Sequence, residues 1–490
     1  MTTGTVRATA SGAAPDVVDL VVVGAGPAGL AAAAVAVLGG LSVALVDAGQ
    51  ELGGQFWRHP PHGSAVGDGK DLHHDLRSYR QLTATVRDAA RSGRCRSLLG
   101  HHVWTAVHPA PGQHVLHLVD RSAGPGRESA VRLEARHVVL ATGAYDRPLP
   151  FPGWDLPGVY TAGGLQALLK GAGVRAGSRV VVGGTGPFLL PVAAGLAARG
   201  ASVVVCEAND PRRWAGGAGA ALGLPGKLVE GAGYAATLAR HRVPVQLRQA
   251  VTAAHGTDRV EAVTISRLDR SGAVVAGSGR RLEADAVGTG WGFVPQLDLA
   301  VTLGADLVPS WGGDQVVGVD RWQRTSVPGL SAAGEVCGVG GARLALREGQ
   351  LAAEGVLRDL GRPGVTGDRG VVAVRREVAR HRRFAAAMAH AHPVPAGWTG
   401  WLEDSTTVCR CEEVCAGQVR RAVADGAVGV RQVKQLTRAG MGWCQGRMCA
   451  PAVAALAGPG GPGTEVPERL VATPVPLGVL ARGTGRDPIP

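Results

Sequence analysis

The segment Val21-Val-Val-Gly-Ala-Gly-Pro-Ala-Gly-Leu30 limits what this chain can fold into more than any other stretch. An apolar run leads into Gly24-x-Gly26-x-x-Gly29, and an Ala-rich segment, Ala31 to Leu38, follows. That is the pattern of a buried strand, a tight turn and a helix. The first glycine permits the turn, the second lets backbone approach a pyrophosphate, and the third lets the helix pack closely on the strand. The helix N-terminus offers free N–H groups and the positive end of its dipole to phosphates. A second apolar run, Leu41 to Val46, ends in Asp47, at the distance where a carboxylate accepts from a ribose hydroxyl. The stretch from Val21 to Leu41 has the length of a membrane span, about 20 residues. It is glycine-punctuated, follows no basic cluster and runs directly into another strand pattern, so it reads as neither a span nor a signal peptide.

The design occurs twice. Arg179-Val-Val-Val-Gly-Gly-Thr-Gly-Pro-Phe-Leu-Leu190 carries Gly184-x-Gly186 at its turn, with Leu189 in place of the third glycine. The next strand, Ala201 to Cys206, ends in Glu207, and the spacing from Gly26 to Asp47 recurs from Gly186 to Glu207. Glu207 accepts from a 2′-hydroxyl and repels a 2′-phosphate, which favours NAD over NADP, although Arg212 and Arg213 weaken that inference. Leu189 is expected to hold its helix slightly off the strand. Three readings of this second site stay open: NAD, another adenine nucleotide, or a vestigial fold element without a ligand.

Between and after the two units lie further signatures. Leu52-Gly53-Gly54-Gln55-Phe56-Trp57-Arg58 stands where disulfide-reducing flavoenzymes carry a cysteine pair. Here there is none, so electrons do not leave through a dithiol. Gly54, Gln55 and Arg58 are instead candidate flavin contacts. Residues 101–120 and 131–140 alternate as short strands, and the last ends in Ala141-Thr142-Gly143-Ala144. Pro148, Pro150, Pro152 and Pro157 mark a crossover out of the first domain. Residues 245–287 read as a β-meander, and Trp291-Gly-Phe-Val-Pro295 as the return. Gly334-Glu335 closes a further strand, and Gly340-Gly341-Ala342 opens a helix. The Glu335 carboxylate can accept from a ribityl hydroxyl. The helix N-terminus after Gly341 faces the flavin edge where negative charge accumulates on reduction.

A chain of 490 residues is too long for one core. Its 51 Lys and Arg against 39 Asp and Glu give a net charge of +12, but the arginines are scattered and not interleaved with aromatics. They read as solvated surface, which argues against nucleic acid. Five of the eight cysteines crowd between Cys409 and Cys449. With no secretion signal visible, that cluster reads as metal ligands rather than disulfides. The spacing is Cys409-x-Cys411, 32 residues, then Cys444-x₄-Cys449, and Cys415 is left over. Four thiolates hold a [2Fe–2S] cluster. Zinc also takes four, but usually from C-x₂₋₄-C pairs. A C-x-C pair with a Gly-rich C-x₄-C loop fits the cluster better, with a ligand swap between Cys411 and Cys415 left open.

These residues resemble a known family, the FAD-binding A or α subunits of multi-subunit amino-acid and opine dehydrogenases. Octopine and nopaline oxidase, D-hydroxyproline dehydrogenase and hydrogen cyanide synthase belong to it. The resemblance runs from about Val18 to Cys449. Its most specific part is Cys409-Arg-Cys-Glu-Glu-Val414 with Gly440-Met-Gly-Trp-Cys-Gln-Gly-Arg-Met-Cys449, which is similar to a bacterioferritin-associated-ferredoxin-type [2Fe–2S] module. The resemblance implies an α/β fold with two Rossmann-like dinucleotide-binding domains of the pyridine-nucleotide-disulfide-oxidoreductase type, plus a small α-rich [2Fe–2S] domain. It implies FAD held through Gly24, Gly26, Gly29, Asp47, Thr142, Gly143, Gly334, Glu335 and Gly341. It also implies a glycine-oxidase-like partner subunit that oxidises the amine, and a separate electron acceptor. The alternative is a self-sufficient NAD(P)H-dependent reductase feeding the cluster through flavin. No Ser/His/Asp or paired-carboxylate constellation is singled out, so no catalytic residue is assigned.

The expected domains are a disordered tail (1–16), a FAD-binding domain in two parts (17–160 and 291–365) and a second nucleotide-binding domain (161–290). A helical connector (366–402), the [2Fe–2S] domain (403–457) and a Pro/Gly-rich tail (458–490) complete the chain. The expected location is cytoplasmic, or at a membrane surface through a complex.

Overall fold

The computed structural model describes residues 17–60, 73, 75–217, 219–220, 223–458 and 471–483. The N-terminal tail expected at 1–16 and the greater part of the C-terminal tail lie outside the described residues.

The first unit begins with β1 (Val17–Val23), α1 (Pro27–Leu38), β2 (Val43–Asp47), α2 (Leu76–Arg91), β3 (Cys95–Leu99), β4 (His101–Ala110), β5 (Gln113–Asp120) and β6 (Ser129–Leu140). Its sheet runs β3-β2-β1-β6-β5-β4. Strands β3, β2, β1 and β6 are parallel, and β4, β5 and β6 form an antiparallel meander. Leu20, Val21 and Val22 of β1 are all fully buried. A parallel strand covered on both faces reads as such a continuous apolar run.

A short strand, β7 (Ala144–Asp146), leads to the second unit. There β8 (Val159–Thr161), α3 (Ala162–Ala172), β9 (Arg179–Gly184), α4 (Leu189–Ala198), β10 (Ser202–Glu207), α5 (Pro225–Arg240) and β11 (Val245–Leu247) follow in order. After β12 (Gln249–His255), β13 (Ala262–Arg267) and β14 (Arg280–Glu283), β15 (Ala286–Gly290) returns to the main sheet, ordered β11-β10-β9-β15-β8 and wholly parallel. The meander expected over 245–287 is therefore confined to β12–β14. Its two ends are parallel strands, which short apolar runs cannot announce because their partners are distant in sequence.

The chain then re-enters the first unit through β16 (Phe293–Pro295), α6 (Asp298–Thr302), β17 (Leu307–Pro309), β18 (Gln315–Val317) and β19 (Leu330–Ala332), which pairs with β6. Two long helices follow, α7 (Ala342–Asp359) and α8 (Gly367–Ala391). The second is more than a solvated connector. Its Val371, Val374 and Val378 pack on Trp322, Leu344 and Leu351.

The C-terminal module is a hairpin, β20 (Thr407–Cys409) with β21 (Val414–Cys415), then α9 (Ala416–Ala424), α10 (Gly429–Thr437) and α11 (Ala450–Leu456). It is fastened to the body. Leu149 and Trp291 share its core with Trp398 and Trp401, and the Trp291 and Trp401 rings lie 5.7 Å apart. Burying each such large side chain contributes about 1.5–3 kcal/mol. Trp154 Nε1 donates to Thr407 O at 2.5 Å, and Arg447 pairs with Asp298 at 2.7 Å. Residues 471–483, expected as part of a loose tail, pack on the meander: Val479 of α12 (Leu477–Gly483) covers Trp104 and Val119. Among the described residues no helix is long and apolar enough to cross a membrane.

Candidate functional site

A cleft of about 2290 Å³ runs between the two nucleotide units. Its lining extends from Gly26 and Asp47, past Thr142, Gly143, Glu335 and Gly341, to Gly186, Glu207 and His392. Ordinary small-molecule pockets reach about 1,000 Å³, so this cleft has room for more than one ligand.

At the first end the three glycines do different work. A Cβ on Gly29 would sit 1.7 Å from Gly24 O, so helix and strand touch only because it is absent. A Cβ on Gly26 would meet nothing within 4 Å, because it would point into the open cleft where the motif places a pyrophosphate. Gly26 is also the N-cap of α1, with Pro27 in its first turn. Asp47 accepts from the N–H groups of Ala25 at 2.5 Å and Gly49 at 2.6 Å. Burial raises its pKa above the ordinary value, against those two bonds and the nearby Arg58 charge. Gly54 abuts the same turn, where a Cβ on it would fall only 2.8 Å from Gly26 Cα, while the Gln55 carboxamide accepts from Arg58 at 2.6 Å. Gly26, Asp47, Gly49, Gly54, Gln55 and Arg58 line the cleft, whereas Gly29 is buried behind it.

Thr142 uses its hydroxyl structurally, donating to Gln296 O at 2.8 Å, and Gln296 N donates to Gly143 O at 3.0 Å. The second signature thus clamps the returning chain. Glu335 is half-buried in the cleft wall, and its Oε1 accepts from Gly341 N at 2.7 Å and Gly340 N at 3.3 Å. Burial pushes its carboxyl up to about 7. Gly334 N donates to Glu348 Oε2 at 3.0 Å, and the half-buried Arg382 of α8 pairs with the buried Glu348 carboxylate at 2.7 Å. Glu348 and Arg382 were not singled out from sequence. The available signal was an acid on the apolar face of α7, one turn from Leu344 and Ala352.

The second glycine turn differs in kind. The first helix starts at Pro27, directly after Gly26; the second starts at Leu189, three residues past Gly186. Leu189 is buried against Ala162 and Leu165, which holds the helix start away from the turn. Glu207 accepts from Gly186 N at 2.9 Å and Asn209 N at 3.0 Å, and His392 Nδ1 lies 3.7 Å from its carboxylate. The end of α8 approaches the turn at ordinary contact distance: a Cβ on Gly186 would lie 3.8 Å from the His392 Cβ, and Trp214 meets the His392 ring edge-on. Among the described residues, four buried polar atoms on cleft-lining residues have no hydrogen-bond partner: Asp146 Oδ1, Trp291 Nε1, His392 Nε2 and Thr473 Oγ1. Lys170, beside Phe56, has its pKa lowered to about 8 by burial.

In the C-terminal module Cys409, Cys411, Cys444 and Cys449 come together, and Cys415 stands apart from that set. Cys415 is the N-cap of α9 in a capping box, its N–H donating to Gln418 Oε1 at 2.8 Å. Among the described residues no three His, Cys, Asp or Glu side chains converge on one point as a single metal ion requires. The four thiols lie within electrostatic reach of one another: Cys444 and Cys409 act to raise the Cys411 thiol, and Cys409 and Cys444 add to the burial that raises the Cys449 thiol. Four thiolates at this spacing suit a [2Fe–2S] centre.

Comparison with known proteins gives the family. Residues 18–352 fit the model of the pyridine nucleotide-disulphide oxidoreductases. The chain belongs to that family. Residues 407–457 fit the BFD-like [2Fe-2S] binding domain. The A subunit of opine oxidase from Rhizobium meliloti is 35% identical over 461 residues, covering 90% of this chain and 92% of the relative. Hydrogen cyanide synthase subunit HcnB of Pseudomonas protegens is 30% identical over 434 residues, covering 88% and 89%. The family member here is thus an FAD-dependent oxidoreductase with a [2Fe–2S] domain, of the kind found as subunits of multi-subunit dehydrogenases. Its fold is shared by L-proline dehydrogenase from P. horikoshii, with a TM-score of 0.65 at 19% identity, covering 95% of this chain and 80% of that one.

Proposed function

We propose that this chain is the electron-relaying subunit of an amino-acid or opine dehydrogenase. A partner subunit of glycine-oxidase type oxidises the amine, and this chain passes the electrons on. A bound flavin accepts two electrons and releases them singly, whereas the cluster carries one at a time. The chain's own residues bind and orient. Gly26 and the start of α1 receive the pyrophosphate, Asp47 the ribose, and the Glu335 loop the ribityl chain. The Glu348–Arg382 pair holds the Gly334 turn in place.

The observation that carries this reading is the junction between cluster loop and flavin unit. Arg447, between Cys444 and Cys449, is bound to Asp298, two residues beyond Gln296, which clamps Thr142 and Gly143. No dithiol stands beside the flavin turn, so the cysteine module is the redox group left to take the electrons. The start of α4 three residues past Gly186 weakens the phosphate site that a nicotinamide cofactor or any other adenine nucleotide would use at the second turn. Affinity isolation from the native host tests the proposal. A stoichiometric glycine-oxidase-like flavoprotein is expected with the chain. Isolation of the chain alone, with rapid NADH-dependent reduction of a one-electron dye, would make it a self-sufficient reductase.

A further inference from the structure

Ten tryptophans occur in the chain, and all but one are buried or half-buried. The exception is Trp443, 72% exposed, in the loop that carries Cys444 and Cys449. A tryptophan left in water forgoes one of the largest apolar burials a side chain offers. Its position gives a reason. Gly442 abuts the cysteine hairpin, where a Cβ on it would fall 2.2 Å from the Cys411 Cβ. Trp443 therefore stands between that contact and Cys444. Cys411 is exposed and Cys444 half-buried, whereas Cys409 and Cys449 are buried. The cysteine set thus opens to solvent where Trp443 stands. Met441, whose N–H donates to Arg438 O at 2.9 Å, is also exposed, and so is Leu436 on the last turn of α10.

The charge around this apolar patch is nearly all of one sign. Residues 428–448 hold Arg431, Lys434, Arg438 and Arg447 and no acid. The acids of the module, Glu403, Asp404, Glu412, Glu413 and Asp425, all precede them. Arg420 takes up Asp404, Arg438 takes up Glu412, and Arg447 is bound to Asp298 of the flavin unit. Among the described residues Arg431 and Lys434 are left without a carboxylate in ion-pair reach. Arg431, Lys434 and Arg438 are spaced three and four residues apart, so they share one face of α10. The Arg438–Glu412 pair joins the end of that face to the cysteine hairpin. Glu413 in the hairpin turn offsets one of the two uncompensated charges, and the face stays basic.

An apolar centre of Trp and Met beside Arg is the composition of a protein contact, not of ordinary surface. Resting on the relay reading above, we propose that Trp443, Met441 and the basic face of α10 form the docking site of a one-electron acceptor protein that presents carboxylates around an apolar centre. The electron leaves the cysteine module there, on the side where Cys411 is exposed. The step oxidises the cluster by one electron and reduces the acceptor by one, with no bond formed and no proton moved. Carboxylates on the acceptor meet Arg431 and Lys434, which steers encounter, and Trp443 supplies the desolvated contact that holds it. A lipid surface fits less well, because it accepts no electron and Glu413 on the same side opposes anionic headgroups.

The test uses the full chain carrying FAD and cluster, reduced anaerobically by light. The probes are two oxidised c-type cytochromes of similar potential, one acidic and one basic. Carbodiimide cross-linking to the acidic cytochrome should join one of its carboxylates to Lys434, the one lysine of residues 403–457, as located by mass spectrometry. At low salt the acidic cytochrome should be reduced about tenfold faster or more than the basic one, with the advantage lost at high salt. Trp443→Ala should weaken the cross-link and slow reduction of the acidic cytochrome about tenfold. Arg431→Glu with Lys434→Glu should reverse the preference between the two probes. Both variants change side chains at the surface and should keep wild-type iron, sulfide and FAD. In the complex isolated from the host the Lys434 cross-link should persist; its loss would put the face under the amine-oxidising subunit and overturn the proposal. Equal rates for the two cytochromes at low salt, or variants that leave rate and cross-link unchanged, would overturn it too. Flotation with anionic vesicles that depends on Trp443 would give the face to a membrane, and dimerisation that depends on Trp443 would give it to a second copy; either result overturns the proposal. Protein that holds FAD but no iron would refute the relay reading itself, whereas an intact cluster that reduces both cytochromes alike refutes only the docking face.

Discussion

Gly26→Ala separates the fold from the ligand. A Cβ at Gly26 meets nothing within 4 Å, and φ there is −72°, which alanine adopts without strain. The flavin-free variant loses a favoured N-cap residue, about 0.5–1 kcal/mol. It regains a similar amount, about 0.4–1 kcal/mol, because alanine restricts the unfolded chain more than glycine does. Its melting temperature should therefore match that of flavin-free wild type. With FAD the methyl stands where the pyrophosphate approaches the turn. Displacing that group from one or two charge-assisted N–H bonds costs about 2–4 kcal/mol, or roughly a 30- to 1,000-fold weaker Kd. Flavin fluorescence titration of the apoprotein reads the affinity, and circular dichroism melting reads the fold. Gly29→Ala is the contrasting control, since its Cβ would collide with Gly24 O and both readouts should fail. Unchanged FAD affinity in Gly26→Ala would refute the placement of the pyrophosphate.

Neither NADH nor NADPH should bleach the flavin within seconds in stopped-flow absorbance; rapid bleaching by NADH would establish a working nicotinamide site at Gly186 and Glu207. Cys415→Ser should keep iron, sulfide and FAD at wild-type levels, since serine is a good N-cap for α9; loss of iron in that variant would make Cys415 a ligand. Glu335, with its carboxyl raised to about 7 from 4.5, binds a proton in the folded state that the unfolded chain releases between those values. Its contribution to stability is therefore present below about pH 4.5 and lost as pH rises to about 7, on the order of 3 kcal/mol. Flavin-free Glu335→Gln, measured against flavin-free wild type by urea unfolding, should gain relative stability between pH 5 and pH 8; a difference that does not change with pH would contradict this.

Much of this architecture is local and could be read directly. The glycine turns, the acids ending β2 and β10, and the cysteine spacing are each written within a few tens of residues. What was not legible depends on contacts between distant segments. Val245–Leu247 and Ala286–Gly290 look like hairpin strands until their parallel partners are known. The end of α8 reaches Gly186 from far along the chain, so the contact of His392 with the second turn has no local signature. Cys415 has the residue type of a ligand, and only Gln418, three residues on, hints at a helix cap. The packed course of residues 471–483 rests on Val479 meeting Trp104, which composition rich in Pro and Gly conceals.

The central claim is that electrons pass from flavin to the cysteine module within one chain. Anaerobic, light-driven reduction of the flavin, followed by rapid freezing and electron paramagnetic resonance, tests it most directly. Iron and acid-labile sulfide are expected in about equal amounts. A cluster signal distinct from the flavin radical should grow as the radical decays, and be lost in Cys444→Ser while FAD remains. Stoichiometric zinc in place of iron after anaerobic purification, or a flavin radical that persists beside an oxidised cluster, would contradict it.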